Sequence, residues 1–566
     1  MGSAVESTLA VHEDSNSCAA LFLDGRLEFA AAEERYTRIR FHAGRPLRTL
    51  ADMAQRYGLG ADTVTALVAA NQCSFLPSLP GSLLPQDEHD VFGLEHKLYL
   101  RFQDALTTSR LTRACAAGLT RTLLRRRFRR LARIVDHHTA HAYSAYMTSG
   151  FEAATAITAD GFGDGASSKI FRCQGGRCEE LYGVSAVSSV GIFHAEMAQV
   201  LGIDARLGGK VTGMAAYGDP RRAYPLVAQL IGLSRGRRGF TLPPIGARQR
   251  QRSPYAELAQ LPQRDVAAAV QQRLEEVFLP YVEQAVAESG CADVVLAGGV
   301  FGNVKLTQRI AALPSVGRVF VHPAMNDHGI AVGAGLEYLA RERGVGPARL
   351  PNVYLEPGYS AEECAAALDQ FGLRHREEAD IDACVAGLLA DGKVVARYAD
   401  RLEYGPRALG NRSILYRSDD PSVNDWLNRM LRRREYMPFA PATLAEAAAE
   451  CYGDLSRVQE CVRFMTIAVP CTEYMRRTSA GAVHIDGTAR PQVVSAEDAP
   501  RFHRIISLYR ERSGIPSLLN TSFNMHEEPI VCTPSDACRA FVSAQLPYLA
   551  LGPFLVVGAG GEFPSR

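Results

Sequence analysis

The stretch "ATAITADGFGDGASSKIF" (residues 154–171) decides how this chain folds. Small and β-branched residues run up to Asp160, a glycine- and aspartate-rich turn follows, and a second apolar run begins. The pattern predicts a strand–turn–strand unit with a carboxylate at the strand end, where α/β sheets usually place ligand-binding side chains. A second unit, "CAALFLDGRLEFAAAEE" (18–34), carries the Asp-Gly hairpin signal. A third, "DVVLAGGVFGNVKLTQRI" (293–310), reads strand, glycine turn, helix. Together they predict a large α/β domain on mixed sheets, and the two similar openings point to a duplicated core.

At 566 residues the chain is too long for one ordinary domain. The Gly/Pro-rich segment "RERGVGPARLPNVYLEPGYS" (341–360) is the candidate linker. It separates a first domain over 1–348 from a second α/β domain over 355–566. A 47% hydrophobic fraction with 22% charged residues gives ample core, and a net charge of +1 offers no global case for nucleic acid or membrane partners. The N-terminus has no basic-then-apolar leader, and no apolar run approaches the roughly 20 residues of a membrane span. Thirteen scattered cysteines without framework spacing predict reduced thiols in a cytoplasmic protein. "RTLLRRRFRRLAR" (121–133) holds seven arginines and no acid. It reads as a solvated basic helix with Leu123, Leu124, Phe128 and Leu131 inward, or as a grip for RNA or phosphate.

"DHHTAHAYSAYMTSGF" (136–151) clusters three histidines. His137 and His141 share one helical face, a spacing that lets two neutral imidazoles reach one cation. Asp160 and Asp327, the latter in "HPAMNDHGIAVGAG", are the candidate carboxylates; His322 and His328 flank Asp327. This N/O set suits Fe(II), Mn or Zn. The adjacent glycines of "LAGGVFGN" and those of "RLGGKVTGMAAYG" (206–218) read as loops able to hold phosphate on backbone N–H groups. Beyond residue 400 lie four polar loops: "YGPRALGNRS", "RRREYMPFAP", "DGTARPQVV" and "LNTSFNMHEEPIV". Their arginines suit bidentate phosphate binding, and their amides and hydroxyls suit a small planar group.

With "AAAEERYTRIR", "HHTAHAYSAY", "TADGFGDG", "GGKVTGMAAYG", "LAGGVFGN", "NDHGIAVGAG", "GPRALGNRS", "MPFAP", "ARPQ" and "LNTSFN" in this order, the chain resembles the O-carbamoyltransferase family of antibiotic and nodulation-factor biosynthesis (NodU/CmcH type). The resemblance implies an actin-like, sugar-kinase-like (ASKHA) first domain and a YrdC-like second domain. It implies that the second domain makes carbamoyl-adenylate from carbamoyl phosphate and ATP (with Mg). The adenylate then passes internally to a divalent metal site, Fe(II), where the hydroxyl of a small-molecule acceptor takes the carbamoyl group. Carried over by motif, His137, His141, Asp160 and Asp327 are metal ligands, with His137, Asp160 and Asp327 catalytic. Arg40, Gly298, Gly299, Asn303, Arg407, Arg412, Arg432, Arg490, Asn520, Ser522 and Asn524 fall at ATP and carbamoyl phosphate. His12 and Asp14 fall to the acceptor, although "HEDSNSC" is out of register with the family's His-Asp element. Met437 stands where the family has an arginine. Residues 71–135 are expected to shape the acceptor pocket. The alternative reading is an ATP-dependent sugar kinase or ATPase, which leaves the C-terminal loops idle.

Overall fold

The computed structural model describes residues 5–60, 63–71, 115, 118–122, 125, 130–243, 254–431, 439–558 and 561–564. The chain divides into two compact units, Met1–Glu33 with Ala43–Leu350, and Glu34–His42 with Pro351–Arg566.

In the first unit, β1 (Ser7–His12), β2 (Cys18–Leu23), β3 (Arg26–Ala32), β4 (Ala66–Ala70) and β5 (Leu131–Val135) form a sheet of order β3-β2-β1-β4-β5. A second sheet has the order β12-β11-β6-β7-β8, from β6 (Ala153–Gly163), β7 (Ala166–Gln174), β8 (Arg177–Ser185), β11 (Val294–Ala297) and β12 (Val319–Val321). Between them in sequence, β9 (Gly232–Leu233) pairs with β10 (Phe240–Thr241). Both five-stranded sheets obey one rule. An antiparallel three-strand meander is extended from its first strand by two parallel strands. The core is duplicated, as the two matching openings suggested.

The meanders turn at Asp24–Gly25 and Asp164–Gly165, with φ of 47° and 78°, and 47° and 80°. Positive φ at both central residues is what a tight hairpin of this hand needs. Strand β6 does not stop at Asp160, however. It continues to Gly163, and its pairing runs from Ala159↔Ser168 to Gly163↔Ala166, four steps on β6 against two on β7. The extra residues form a bulge at Asp160, a device that re-aims a side chain out of the ladder.

The helix His137–Ser149 is buried on nearly every side. Its N-cap, Asp136, accepts the Thr139 N–H at 2.9 Å and the Lys169 Nζ at 3.0 Å. It packs against the helix Ile330–Arg343, where a Cβ on Gly333 would lie 1.8 Å from the Ala140 carbonyl oxygen.

Several expectations change. Leu131–Val135 is a strand because it pairs in parallel with β4; Arg133 binds Glu337 at 2.7 Å, while Leu123, Leu124 and Phe128 lie outside the described residues. Most of residues 71–135 are likewise undescribed. Within 206–218, Gly209–Ala215 is a helix, not a loop. Cys173 and Cys178 form a disulfide: the β7–β8 hairpin places them directly opposite each other, with Cα atoms 4.1 Å apart. The first three residues of the expected linker belong to the helix that ends at Arg343, capped by Gly344.

The second unit is built on one mixed sheet of order β13-β22-β21-β14-β15-β20-β16-β19. Its strands are β13 (His375–Glu377), β14 (Val395–Tyr398), β15 (Arg412–Arg417), β16 (Ala440–Leu444), β19 (Gln492–Val494), β20 (Ser517–Ser522), β21 (Tyr548–Leu551) and β22 (Phe554–Val557). A short pair, β17 (Val469–Pro470) and β18 (Thr488–Ala489), stands beside it in sequence. Helices Ile381–Ala390 and Pro500–Ser513 pack on each other, and Leu389, Val395, Phe502 and Leu518 are part of one buried cluster. Among the described residues, no helix is long and apolar enough to cross a membrane.

The contact at Gly333 yields a stability test. Gly333→Ala forces the two helices apart and should cost about 1–3 kcal/mol, read as a lower urea midpoint. Gly346→Ala, with nothing within 4 Å of the new methyl, should leave the midpoint unmoved.

Candidate functional site

Four side chains from three parts of the first unit converge. His137 and His141 come from the first turns of one helix, Asp160 from the β6 bulge, and Asp327 from the short turn Asp327–Gly329 that leads into helix Ile330–Arg343. One donor atom from each lies within 4.8 Å of all the others. His141 Nε2 is 3.3 Å from Asp160 Oδ2 and 3.4 Å from Asp327 Oδ1, and His137 Nε2 is 3.7 Å from Asp327 Oδ1.

Each group is aimed by neighbours. Asp160 accepts the N–H of Gly161 at 2.6 Å and of Gly299 at 3.0 Å. His137 Nδ1 meets Asn71 Oδ1 at 3.1 Å, so that nitrogen carries the hydrogen and leaves the Nε2 lone pair facing the carboxylates. A Cβ on Gly163 would sit 2.1 Å from the His137 ring, so only glycine lets the bulge pass so close. Asn71, which orients the ring, was not legible in the sequence because 66 residues separate the two.

The electrostatics are those of a metal-free ligand set. Burial opposes a charge on His141, but the two facing carboxylates outweigh it and push its pKa up to about 9. Burial, helped by the neighbouring imidazoles of His141 and His138, holds His137 well below the ordinary histidine value. Burial and the Asp160 charge push Asp327 up to about 6. Burial also works against the Asp160 carboxylate, yet His141 and the Gly299 N–H prevail and keep it well below the usual range. Among the described residues, buried His137 Nε2, His141 Nε2 and Asp327 Oδ1 make no well-formed hydrogen bond. These two imidazole nitrogens and one carboxylate oxygen, with Asp160 Oδ2 beside them, fit a divalent first-row cation.

The other histidines are placed elsewhere. His138 bridges Thr158 Oγ1 at 2.9 Å and the Ala166 carbonyl at 3.0 Å, and His322 meets Thr148 Oγ1 at 3.1 Å. His12 is buried with its ring centroid 6.5 Å from that of His137, and its Nε2 meets the Ser15 carbonyl at 3.0 Å. Asp14 accepts the Ser15 N–H at 2.9 Å. Polar groups of Gly298, Gly299 and Asn303 are engaged internally. The Gly298 N–H donates to Met325 O at 2.6 Å, and the Gly299 N–H aims Asp160. Asn303 caps the helix Val304–Ala311 through the Leu306 N–H and donates to Gln271.

In the second unit three of the polar motifs are bonded together. Asn520 Nδ2 donates to Ala408 O at 3.2 Å and Gln492 Oε1 at 3.3 Å, and Gln492 Nε2 donates to Leu409 O at 2.9 Å. Gln492 thereby ties "GPRALGNRS", "ARPQ" and "LNTSFN" together, a role its place in "ARPQ" did not disclose. Arg407, Arg490 and Ser522 are half-buried on these segments. Arg412 is fully buried, donates to the carbonyls of Ala399, Asn411 and Asp400, and lies 3.6 Å over the Tyr398 ring. Its guanidinium ties the start of β15 to the Ala399–Asp400 turn. Asn524 Nδ2 braces its turn through Met525 O at 2.8 Å and Glu528 O at 2.9 Å. Arg40 lies in the 34–42 segment of this unit, its guanidinium 4.9 Å over Phe41, so neither unit gathers the whole expected nucleotide set. Arg432 and Met437 fall outside the described residues.

Comparison with known proteins bears on this arrangement. Residues 94–336 match the carbamoyltransferase N-terminus family and residues 386–557 the carbamoyltransferase C-terminus family. The nodulation protein NolNO of Sinorhizobium fredii is 30% identical over 96% of this chain and 81% of its own length. NolO of Bradyrhizobium diazoefficiens is 34% identical over 75% of this chain and 78% of its own. The 3'-hydroxymethylcephem-O-carbamoyltransferase of Streptomyces clavuligerus is 28% identical over 58% of this chain and 61% of its own. With both family halves present in order and a relative aligned over almost the whole sequence, the chain belongs to the O-carbamoyltransferase (NodU/CmcH) family and is a carbamoyltransferase.

Proposed function

We propose that this enzyme activates a carbamoyl group in its second unit and delivers it, at the His137–His141–Asp160–Asp327 cluster of the first, to a hydroxyl of a small-molecule acceptor. In this reading water cleaves carbamoyl phosphate to carbamate and phosphate, and a carbamate oxygen then attacks the α-phosphorus of ATP, releasing pyrophosphate and giving carbamoyl-adenylate beside Arg407, Arg490, Asn520 and Ser522. The observation that carries it is the convergence within 4.8 Å of four donor atoms, from two buried histidines and two half-buried aspartates, three of them without a well-formed hydrogen bond among the described residues. The duplicated sheet order supports an actin-like first domain. The YrdC-like character of the second rests on the family resemblance. A sugar-kinase reading has no use for the three bonded motifs of the second unit.

His137, His141, Asp160 and Asp327 would hold a divalent cation, for which Fe(II) is the proposed identity. Such an ion, when bound, supplies Lewis-acid polarisation of the carbamoyl oxygen and lowers the pKa of the acceptor hydroxyl. The chain's own part is to present the site ready-made. Asn71 fixes the His137 tautomer, and the Gly161 and Gly299 N–H groups hold the Asp160 carboxylate in place. In the second unit Arg407 would meet the phosphate of carbamoyl phosphate through charge-assisted hydrogen bonds. Adenylation gives carbamate, whose own oxygen is a poor leaving group, the good leaving group AMP, and consumption within the protein limits hydrolysis.

His137→Ala and Asp327→Ala should abolish transfer to the acceptor while pyrophosphate release from ATP and carbamoyl phosphate continues. Normal transfer by both variants would overturn the metal-site assignment. Asn71→Ala should weaken metal binding roughly 10–100-fold through loss of ring orientation, measured by competition with a chelator.

Metal binding should also be proton-linked. With its pKa near 9 in the metal-free site, His141 is protonated at pH 7.5 and must lose that proton to become a ligand. Calorimetry in two buffers of different ionisation enthalpy should record release of about one proton per ion. Apparent affinity should rise with pH up to about 9, with this slope absent in His141→Ala.

A further inference from the structure

We infer that Glu403 and Arg35 are positioning residues for Arg407, so that a segment far upstream in sequence completes the carbamoyl phosphate site of the second unit. The inference rests on the assignment of Arg407 to carbamoyl phosphate. Glu403 is completely buried, and its Oε1 alone accepts three backbone N–H groups: Leu409 at 2.8 Å, Asn411 at 2.7 Å and Arg412 at 3.2 Å. Those amides form the downstream limb of the loop that carries Arg407. The upstream limb is held by Arg35, whose Nη2 donates to the Gly405 carbonyl at 2.6 Å across 370 residues of sequence. Arg35 is itself fixed by Glu356, with Nε to Oε2 at 3.0 Å and the two residues only 2% and 1% exposed.

The geometry explains why this much polar material is buried under one short loop. Gly405 and Gly410 adopt φ of 107° and 114°, conformations that favour glycine, and a loop bent twice in this way needs external restraint to keep one shape. Between the two restraints only Pro406 and Arg407 face outward, the first exposed and the second half-buried. An arginine presented from a clamped loop meets its anion with little ordering left to do, and displacement of about 1 Å in such a group can cost two orders of magnitude. A carboxylate serves as the inner clamp because one charged oxygen strengthens all three amide contacts together. A planar guanidinium serves as the outer clamp because it bonds Gly405 and Glu356 at once, which a lysine ammonium cannot do in the same plane.

The test uses the full-length chain and follows pyrophosphate release, varying carbamoyl phosphate at saturating ATP and then the reverse. Glu403→Ala and Arg35→Ala should each raise the KM for carbamoyl phosphate roughly tenfold or more, with the KM for ATP within about twofold of wild type. Glu403→Gln keeps an oxygen for the three N–H groups and should recover most of the loss; Arg35→Lys should fall between wild type and Arg35→Ala. In an Arg407→Ala background neither change should raise the carbamoyl phosphate KM further, because both act through that arginine. An Arg407→Ala variant with a wild-type carbamoyl phosphate KM overturns the assignment of Arg407, and this inference with it. A raised KM in Arg407→Ala but not in Glu403→Ala or Arg35→Ala overturns the positioning roles alone. So does an equal rise for both substrates, or an additive effect in the Arg407→Ala background. Should either alanine variant fail to fold, Arg35→Lys decides, and the absence of a carbamoyl phosphate-specific shift there overturns the inference.

Discussion

Asp160 and Asp327 bring two carboxylates to one buried point, and a like-charged pair there is tolerated only where a positive charge answers it. Among the side chains that answer is His141, which lies between them and whose pKa the two carboxylates push up to about 9. Much of the first unit can be read as the means of holding these four groups together. The β6 bulge turns Asp160 out of the ladder, Gly163 lets the strand pass against the His137 ring, and Gly333 lets the helix after Asp327 lie against the helix that carries both histidines. The duplicated sheets supply the frame, since strand ends and adjoining turns are where an α/β core can present polar groups without breaking its own hydrogen bonds.

The second unit solves a different problem with similar means. Its candidate anion loop is short, twice bent at glycine, and rich in main-chain groups that must find partners once buried. Glu403, Gln492, Asn520, Arg35 and Arg397 satisfy those groups from several sides. The result is a loop whose shape is set before any ligand arrives. Buried charge is costly in isolation, but here each buried arginine or glutamate meets main-chain dipoles as well as, in places, an opposite charge, so the desolvation is offset by several bonds at once.

Arginines that look alike in sequence therefore play opposite parts. Arg407 and Arg412 are five positions apart in "GPRALGNRS", and both suggest phosphate contacts on residue type alone. Only the fold separates them. Arg412 begins a central strand and points into the layer, where it bonds three carbonyls and covers Tyr398, whereas Arg407 stays at the loop's outer edge. In the first unit the donors of Gly298, Gly299 and Asn303 are likewise taken up within the fold, by Met325, Asp160 and Gln271.

Local pattern was enough for the two Asp-Gly hairpins, the α/β class, the hint of duplication, and the four residues that converge, because turn chemistry, strand alternation and helical spacing are properties of neighbours in sequence. The ordered motifs were likewise enough for the family. What local pattern could not supply was every feature made by distant partners: the bulge that carries β6 past Asp160, the strand at Leu131–Val135, the Cys173–Cys178 pairing, and the support from Asn71, Gln492, Glu403 and Arg35. Each of these depends on which backbone or side-chain group lies opposite in space. That is decided only when the sheets close and bury polar groups that must then be satisfied by whatever the tertiary fold has brought within reach.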